Sequence, residues 1–562
     1  MNRLWGTGMT TSSHRFAGLA VYGERRTAVM LALGFSSGLP FLLIFDTLSA
    51  WLRQSNLSLQ TIAFFGLATL VYAFKFLWAP LMDRTRVPFL DARLGHRRAW
   101  MLVAQLAIAC GLALISVSDP ATNLGAVAAF AVLTGFFGAT QDIVIDAWRI
   151  EAAETERQGA MAAAYTWGFR IAMVVAGAVP LILAEWVGWN FSYAVMSAFM
   201  AVGIVAVLLA PAEKKRIIKP IPIDGIPRRP TAEALEWLAR LAMLLIAALL
   251  LGTGLSGNMD ILEKTLGVLS FDPVAAGLRT NWSGSGAAIF SFFFVITGLL
   301  LVGLAATPMP AVKTRPGIHL YYALGEPLAV FFRRYGRSAG LILAMICFYR
   351  LSDFLLNIMT PFYLDVGYTP LEIAEVRKVF GVIATVFGVF LGGLSVARLG
   401  LMNSLLIGAF AQPLSNAMFI LVAMAGPDMP TLFAVIGVEN ITGAFAGVCL
   451  IAYMSSLTSE GFTATQYALF SSLYAVPGKL LASQSGAIIE GVARGSESGG
   501  LGAMFLGMFQ GGTGFAHAME KSQVSPAALG AGYTVFFLYS AAAGVLAVIL
   551  TAALWARRPK TA

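Results

Sequence analysis

Apolar residues come in runs of about twenty along this chain, broken by short polar turns, and that alternation predicts helices long enough to cross a bilayer. The expected spans are 28–51, 59–82, 99–117, 124–148, 160–184, 188–211, 236–255, 286–306, 338–363, 371–395, 401–425, 430–455, 465–490 and 530–555, fourteen in all. An even number of crossings returns both chain ends to one side. Basic residues mark that side. Arg84, Arg86, Arg93, Arg97 and Arg98 crowd the first such turn, Lys214, Lys215, Arg216, Lys219, Arg228 and Arg229 the link after span six, and Arg557, Arg558 and Lys560 the end. The alternate turns SDPATN and EWVGWN carry no basic residue. The positive-inside rule therefore puts both termini in the cytoplasm.

The pattern also repeats. ARLG stands at 92–95 and again at 397–400, and Asp46/Asp353, Lys75/Lys378, Gln158/Gln466 and Arg170/Lys479 recur at nearly the same offset in corresponding spans. Two six-helix halves in parallel repeat are the layout of major-facilitator transporters. The expected organisation is an N-terminal tail (1–27), a first half (28–211), a central insert with two extra spans (212–337) and a second half (338–562). Since the repeat closes without the insert, the two extra helices are expected to be dispensable for the core.

Composition fits this picture: 58% of the 562 residues are hydrophobic, only 12% are charged, and the mean hydropathy is +0.77. No removable leader is expected, because no charge-free run with a small-residue cleavage site heads the chain. The net charge of +9 belongs to the topology-setting loops and does not point to nucleic acid. Cys110, Cys347 and Cys449 lie in three different spans, with no disulfide or metal-ligand spacing. No phosphate-binding glycine loop, nucleophile elbow or zinc motif is present, so neither an enzyme, a cofactor nor a metal site is expected.

Charges inside the spans carry the functional expectation, because a charge placed mid-bilayer costs at least ~2.5–3.5 kcal/mol and is usually retained for use. Asp142 and Asp146 sit four apart in GATQDIVIDAWRIE and share a helix face. Arg170 enters the next helix at nearly the depth of Asp142, which makes Asp142–Arg170 the favoured buried pair. Glu439 and Asn440 lie mid-span, as a carboxyl able to exchange protons requires. Arg350 and Asp353 can neutralise one another at i,i+3. Lys75 and Lys479 add cations, and Asp46 another carboxylate. Asp146, Arg149 and Glu151, near the basic end of their helix, are as readily explained by reaching water. Gly388 with Gly392 and Gly443 with Gly447 form G-x-x-x-G patterns suited to close helix packing. The sum is a two-half carrier for a polar, anionic or zwitterionic solute moved with protons.

Several segments are long and unusual: GFSSGLPFLLIFDTLSAWL, YAFKFLWAPLMDR, RRAWMLVAQ, ATQDIVIDAW, FYRLSDF, VENITGAFAG and FTATQYALFSSL. In this order, along nearly the whole core, they resemble AmpG muropeptide permeases, a major-facilitator family with two additional helices between its halves. The resemblance implies a carrier in the bacterial inner membrane, and a monomer is expected. It would bring GlcNAc–anhydroMurNAc peptides from periplasm to cytoplasm with protons, for peptidoglycan recycling and β-lactamase induction. By position it places Gln141, Asp142 and Asp146 in the fourth-helix motif, Lys75 in the second, Asp353 in the seventh, and Glu439 with Asn440 in the tenth. Asp83 and Arg84 open a turn resembling the superfamily gating loop, and Asp146 is assigned to the same gate. Asp46 and the long loop before the last span depart from the pattern. An acetyl-coenzyme A carrier, a drug–proton antiporter and a non-transporting sensor are the rival expectations.

Overall fold

The computed structural model describes residues 23–55, 72, 75–154, 157–213, 227–256, 259–268, 270–281, 286–306, 314–356, 359–369, 372–373, 375–482, 485–516 and 523–557. Most of the expected N-terminal tail and of span 59–82 lies outside them, as do the side chains of Asp46, Lys378 and Lys479. The described chain is helical throughout. Helix α1 (Arg25–Leu42) continues through a π turn, Leu43–Thr47, into a helix at Leu48–Gln54. Then come α2 (His96–Ser116), α3 (Leu124–Ala152) and α4 (Gln158–Val187), and a return formed by Trp189–Phe199 and Ala201–Leu209. The insert supplies α5 (Pro230–Ser256) and α6 (Gly286–Ala306). After α7 (Glu326–Tyr335) and the short helices Ala339–Phe348, Leu351–Leu355 and Met359–Val366 come α8 (Gly381–Leu399), α9 (Leu401–Ala417), α10 (Met429–Leu457), α11 (Thr463–Ala482) and α12 (Pro526–Ala556).

Among the described residues, ten helices are long and apolar enough to cross a membrane by length and composition. The other four expected spans fall on α1 with its π turn, on the largely undescribed 59–82, on α6, and on α11 with Ser485–Ser496.

The repeat read from ARLG is visible in the backbone. Gly95 and Gly400 each cap the following helix at φ 94°, ψ 165° and φ 82°, ψ 161°. This left-handed region is open to glycine at little cost, which explains why the same tetrapeptide turns the corner in both halves. Gln158 and Gln466 also correspond: the first donates to the Ala153 carbonyl at 2.8 Å, and the second accepts from the Ser459 amide at 2.7 Å. Each glutamine closes the turn leading into its helix.

Each half has its own apolar core. Leu39, Ile108, Trp189 and Tyr193 centre one end of the first half, and Met30, Met101, Val144 and Trp148 the other. In the second half, Phe362, Phe419, Tyr533 and Phe537 form one cluster and Tyr349, Tyr453 and Phe470 another. The long loop before α12 packs into the first of these through Phe509 and Phe515, with the Phe515 and Tyr533 rings stacked at 5.6 Å. The insert does not stand apart from the core. α5 and α6 pack on each other and both touch α11, while Val302 of α6 joins the first-half cluster of Met30, Phe76 and Trp148. Buried Arg240 of α5 pairs with Glu236 at 2.7 Å and donates to the Ala305 carbonyl of α6, and Thr314 donates to Glu236 at 2.7 Å. A simple appendage would not make these contacts, so the expected dispensability of the insert meets a packed interface.

The α1–α4 contact is the tightest in the first half. A Cβ on Gly168 would stand 1.9 Å from the Leu31 carbonyl oxygen, and one on Gly34 would stand 2.2 Å from that of Tyr165. Small residues let the helix backbones touch, which is how membrane helices gain dispersion energy without a hydrophobic drive. Gly168→Ala must therefore part the helices, with an expected loss of ~1–3 kcal/mol by overpacking. Gly177→Ala, whose Cβ would meet only Leu42 Cδ1 at 3.6 Å, should be near neutral. Thermal unfolding of the two variants in detergent separates these outcomes.

Candidate functional site

The halves meet at one end of the bundle, the end bearing the basic turns. Asp83, 2% exposed, is the centre of that junction. Its carboxylate takes Arg97 of α2 at 2.7 Å, and Arg97 reaches on to Glu151 of α3 at 2.8 Å. Across the seam the same carboxylate accepts from the Thr465 amide at 2.8 Å, the Thr465 hydroxyl at 2.7 Å and the Ala464 amide at 3.3 Å. These amides belong to the first turn of α11, where unsatisfied N–H groups and the helix dipole favour an anion.

Two further ties flank this one. Arg149 of α3 donates to Ser455 of α10 at 2.9 Å, lies over the Tyr467 ring at 5.2 Å, and pairs with Asp146 at 3.3 Å. Arg84 pairs with Glu326 at the start of α7 at 3.0 Å and donates to the Tyr322 carbonyl. Gln466 Nε2 anchors α7 to the second half by donating to the Pro327 carbonyl at 2.8 Å. Deeper in, Trp167 of α4 donates to the Val386 carbonyl of α8 at 3.0 Å and stacks on Phe390 at 6.3 Å. These ties lie on the side of Trp167 and Val386 that bears the basic turns. Beyond them the halves part, and polar side chains from both face a solvent-accessible space.

On the first-half wall, Ser37 of α1 donates to Asp142 at 2.5 Å and shares a 2.7 Å hydrogen bond with Tyr165 of α4. The charges of Lys75 and Asp146 both act on Asp142. On the opposite wall Arg350 and Asp353 form a close ion pair. Glu439 accepts from Asn440 at 2.9 Å, and Asn440 accepts from Thr385 of α8 at 2.9 Å. Glu439 also feels Asp353, Arg377, Arg350 and Arg170.

The expected Asp142–Arg170 pair is not formed. Similar depth is not similar direction: Asp142 turns toward α1, whereas Arg170 leaves the other side of α4, where the charges acting on it are Arg350, Asp353 and Glu439. Gln141 is fully buried behind the wall, where it exchanges two 2.9 Å hydrogen bonds with Ser36. Arg350 and Asp353 do pair, and Asp83, Arg84 and Asp146 stand at one junction. Arg97, Arg149, Ser455 and Thr465 complete that junction, and the sequence did not single them out as partners. Only the glycine pairs divide. A Cβ on Gly388 would strike the Ile441 carbonyl at 2.4 Å, so that pattern serves packing; Gly447 instead leaves room for Arg350 Nη1, 3.2 Å from where its Cβ would be.

Two measurements follow from this geometry. In a double-mutant cycle on stability, Ser37→Ala and Asp142→Asn should couple by ~0.5 kcal/mol or more, whereas Asp142→Asn and Arg170→Gln should add within ~0.5 kcal/mol. Asp83→Asn should loosen the junction by removing the charge that holds both Arg97 and α11. Spin labels at positions 93 and 399, in a background without native cysteines, should then report a broader, longer distance distribution. An unchanged distribution would deny Asp83 its closing role.

Known proteins place the chain. Residues 30–332 match the family model of the Major Facilitator Superfamily. The anhydromuropeptide permease of Escherichia coli K12 is 32% identical over 461 residues, 82% of this chain and 73% of that protein. A Rickettsia conorii transporter bearing the name AmpG 4 is 27% identical over 455 residues, 80% of this chain and 87% of that one. The proton:xylose symporter XylE, 10% identical, superposes over 95% of both chains with a TM-score of 0.50, a likeness of fold alone. The chain belongs to the Major Facilitator Superfamily and, within it, to the family of the anhydromuropeptide permease.

Proposed function

We propose that this protein imports anhydro-muropeptides from periplasm to cytoplasm together with protons, for peptidoglycan recycling. The observation that carries this is the 32% identity to the Escherichia coli anhydromuropeptide permease across 82% of the chain. The cavity agrees with such a cargo. A muropeptide joins a hydroxyl- and amide-rich disaccharide to a peptide bearing carboxylates and an amine, and the two walls offer hydroxyls, an amide, cations and carboxylates. The basic gate side is the cytoplasmic one, with both termini there, and the arrangement with the gate closed faces the periplasm. The carrier works as a monomer in the inner membrane.

Proton coupling is assigned to Asp142 and Glu439. Each is a carboxyl on a cavity wall, with a neutral hydrogen-bond donor and a cation's field beside it. Protonation of such a group removes a charge whose cost changes as the cavity closes and excludes water. The junction of Asp83, Arg84 and Asp146 is the cytoplasmic gate, which must break for release.

Right-side-out membrane vesicles carrying the protein should accumulate labelled GlcNAc–anhydroMurNAc-tetrapeptide when the outside is made acidic. A protonophore should abolish the accumulation. Accumulation driven equally by sodium would refute the proton assignment, and export of a lipophilic cation without muropeptide uptake would favour an antiporter.

A further inference from the structure

Among the cations of the cavity, Arg170 has an unusual position. Arg97, Arg149 and Arg350 are each committed to a carboxylate within 3.3 Å or in a close pair. Arg170 makes no ion pair or hydrogen bond to any described residue, and its side chain is open to solvent. It is nevertheless enclosed by the bundle rather than turned to lipid. It extends from the face of α4 on which Gly159 and Ala163 approach α8 and α10, and it feels the charges of Arg350, Asp353 and Glu439 across the seam. Three residues back on the same helix, Trp167 makes the last hydrogen bond between the halves, to Val386. Arg170 thus stands just above the floor of the cavity, on one half, looking at the other.

The surrounding charges also leave a cation in excess. Three guanidiniums, Arg170, Arg350 and Arg377, act on the Glu439 site against two carboxylates, Asp353 and Glu439 itself. Asp353 is taken by Arg350, and Glu439 is held by Asn440. A guanidinium with five donors and no hydrogen-bond partner among the described residues is matched by a planar, bidentate anion.

Resting on the muropeptide reading, we infer that Arg170 is the binding residue for a carboxylate of the cargo's peptide, and that this contact favours those muropeptides that carry a free acid. The carboxylate fills the gap on the cavity floor between the halves. Because Arg170 belongs to the first half and its facing charges to the second, a cargo seated there completes an electrostatic bridge that the empty protein lacks. The contact lies close to Glu439, so the acid and the proton site share one field. Lysine in the same place would offer a point charge and lose the fork.

The test compares two probes on the purified full-length protein in lipid nanodiscs: GlcNAc–anhydroMurNAc-tetrapeptide, and the same molecule with its carboxyls converted to carboxamides. Wild-type protein should bind the acid ~10–100-fold more tightly than the amide, the span expected of a charge-assisted hydrogen-bonded contact. Arg170→Gln should lose that margin by weakening the acid and leaving the amide within about threefold. An acid-to-amide ratio unchanged in Arg170→Gln overturns the inference while leaving muropeptide transport intact. Wild-type protein that binds neither probe overturns the functional reading, and this inference with it. A second measurement uses the wild-type chain alone, in case the variant fails to fold. Phenylglyoxal should modify Arg170, read by peptide mass spectrometry, and the acid should protect it where the amide does not. Equal protection by both, or by neither, counts against the contact.

Discussion

The closed arrangement depends on one carboxylate. Asp83 is nearly inaccessible to water, and a charge in that position is tolerable only because several donors converge on it: Arg97 from its own half, and the Thr465 hydroxyl with two amides from the other. Removing one partner of such a buried set typically costs ~3–5 kcal/mol. The two halves are thus held together by the need of a single anion to remain solvated by protein. The donors on the far side are the free amides of a helix start, and every helix start has these. They add to the Thr465 hydroxyl, a side-chain donor from the second half. Under the proposed gating role, opening must offer Asp83 water in exchange for α11.

The walls above the gate follow a different rule. There the charges are only partly covered, and Asp142, Glu439 and the Arg350–Asp353 pair are each held by a close partner. Asp142 bonds Ser37, Glu439 bonds Asn440, and Arg350 bonds Asp353. These are local arrangements within one half. The junction is built from contacts across halves and the walls from contacts within them, so the walls do not depend on the junction for their own bonds.

Much of this was legible in the sequence. Long apolar runs and the ARLG repeat pointed to long helices and to matching helix-start turns, because hydropathy and turn chemistry are local properties. The membrane charges were found for the same reason: a carboxylate in an apolar run is conspicuous. Their partners were not. Depth along a helix can be counted, but direction around it depends on which neighbour each face meets, and so Asp142 was matched to Arg170 when it turns to Ser37. Thr465 and Ser455 could not be singled out, since a hydroxyl near a helix end is commonplace until another half arrives to use it. Gly447 illustrates the same limit. Its spacing from Gly443 signals helix packing, while its use is to leave a hollow beside Arg350.

The insert carries a mechanical consequence. α5 and α6 lie against α11 of the second half, and Val302 sits in the first-half cluster with Phe76 and Trp148, so the pair covers the seam on that flank. Where α4 meets α8, Gly159 and Trp167 reach Val396 and Val386 directly. Such a bundle resembles a bound book, with its spine at α5 and α6 and its fore-edge along α4 and α8. Rocking of the halves is then biased to swing about the spine, with the largest travel at the fore-edge, on the helix that carries Arg170.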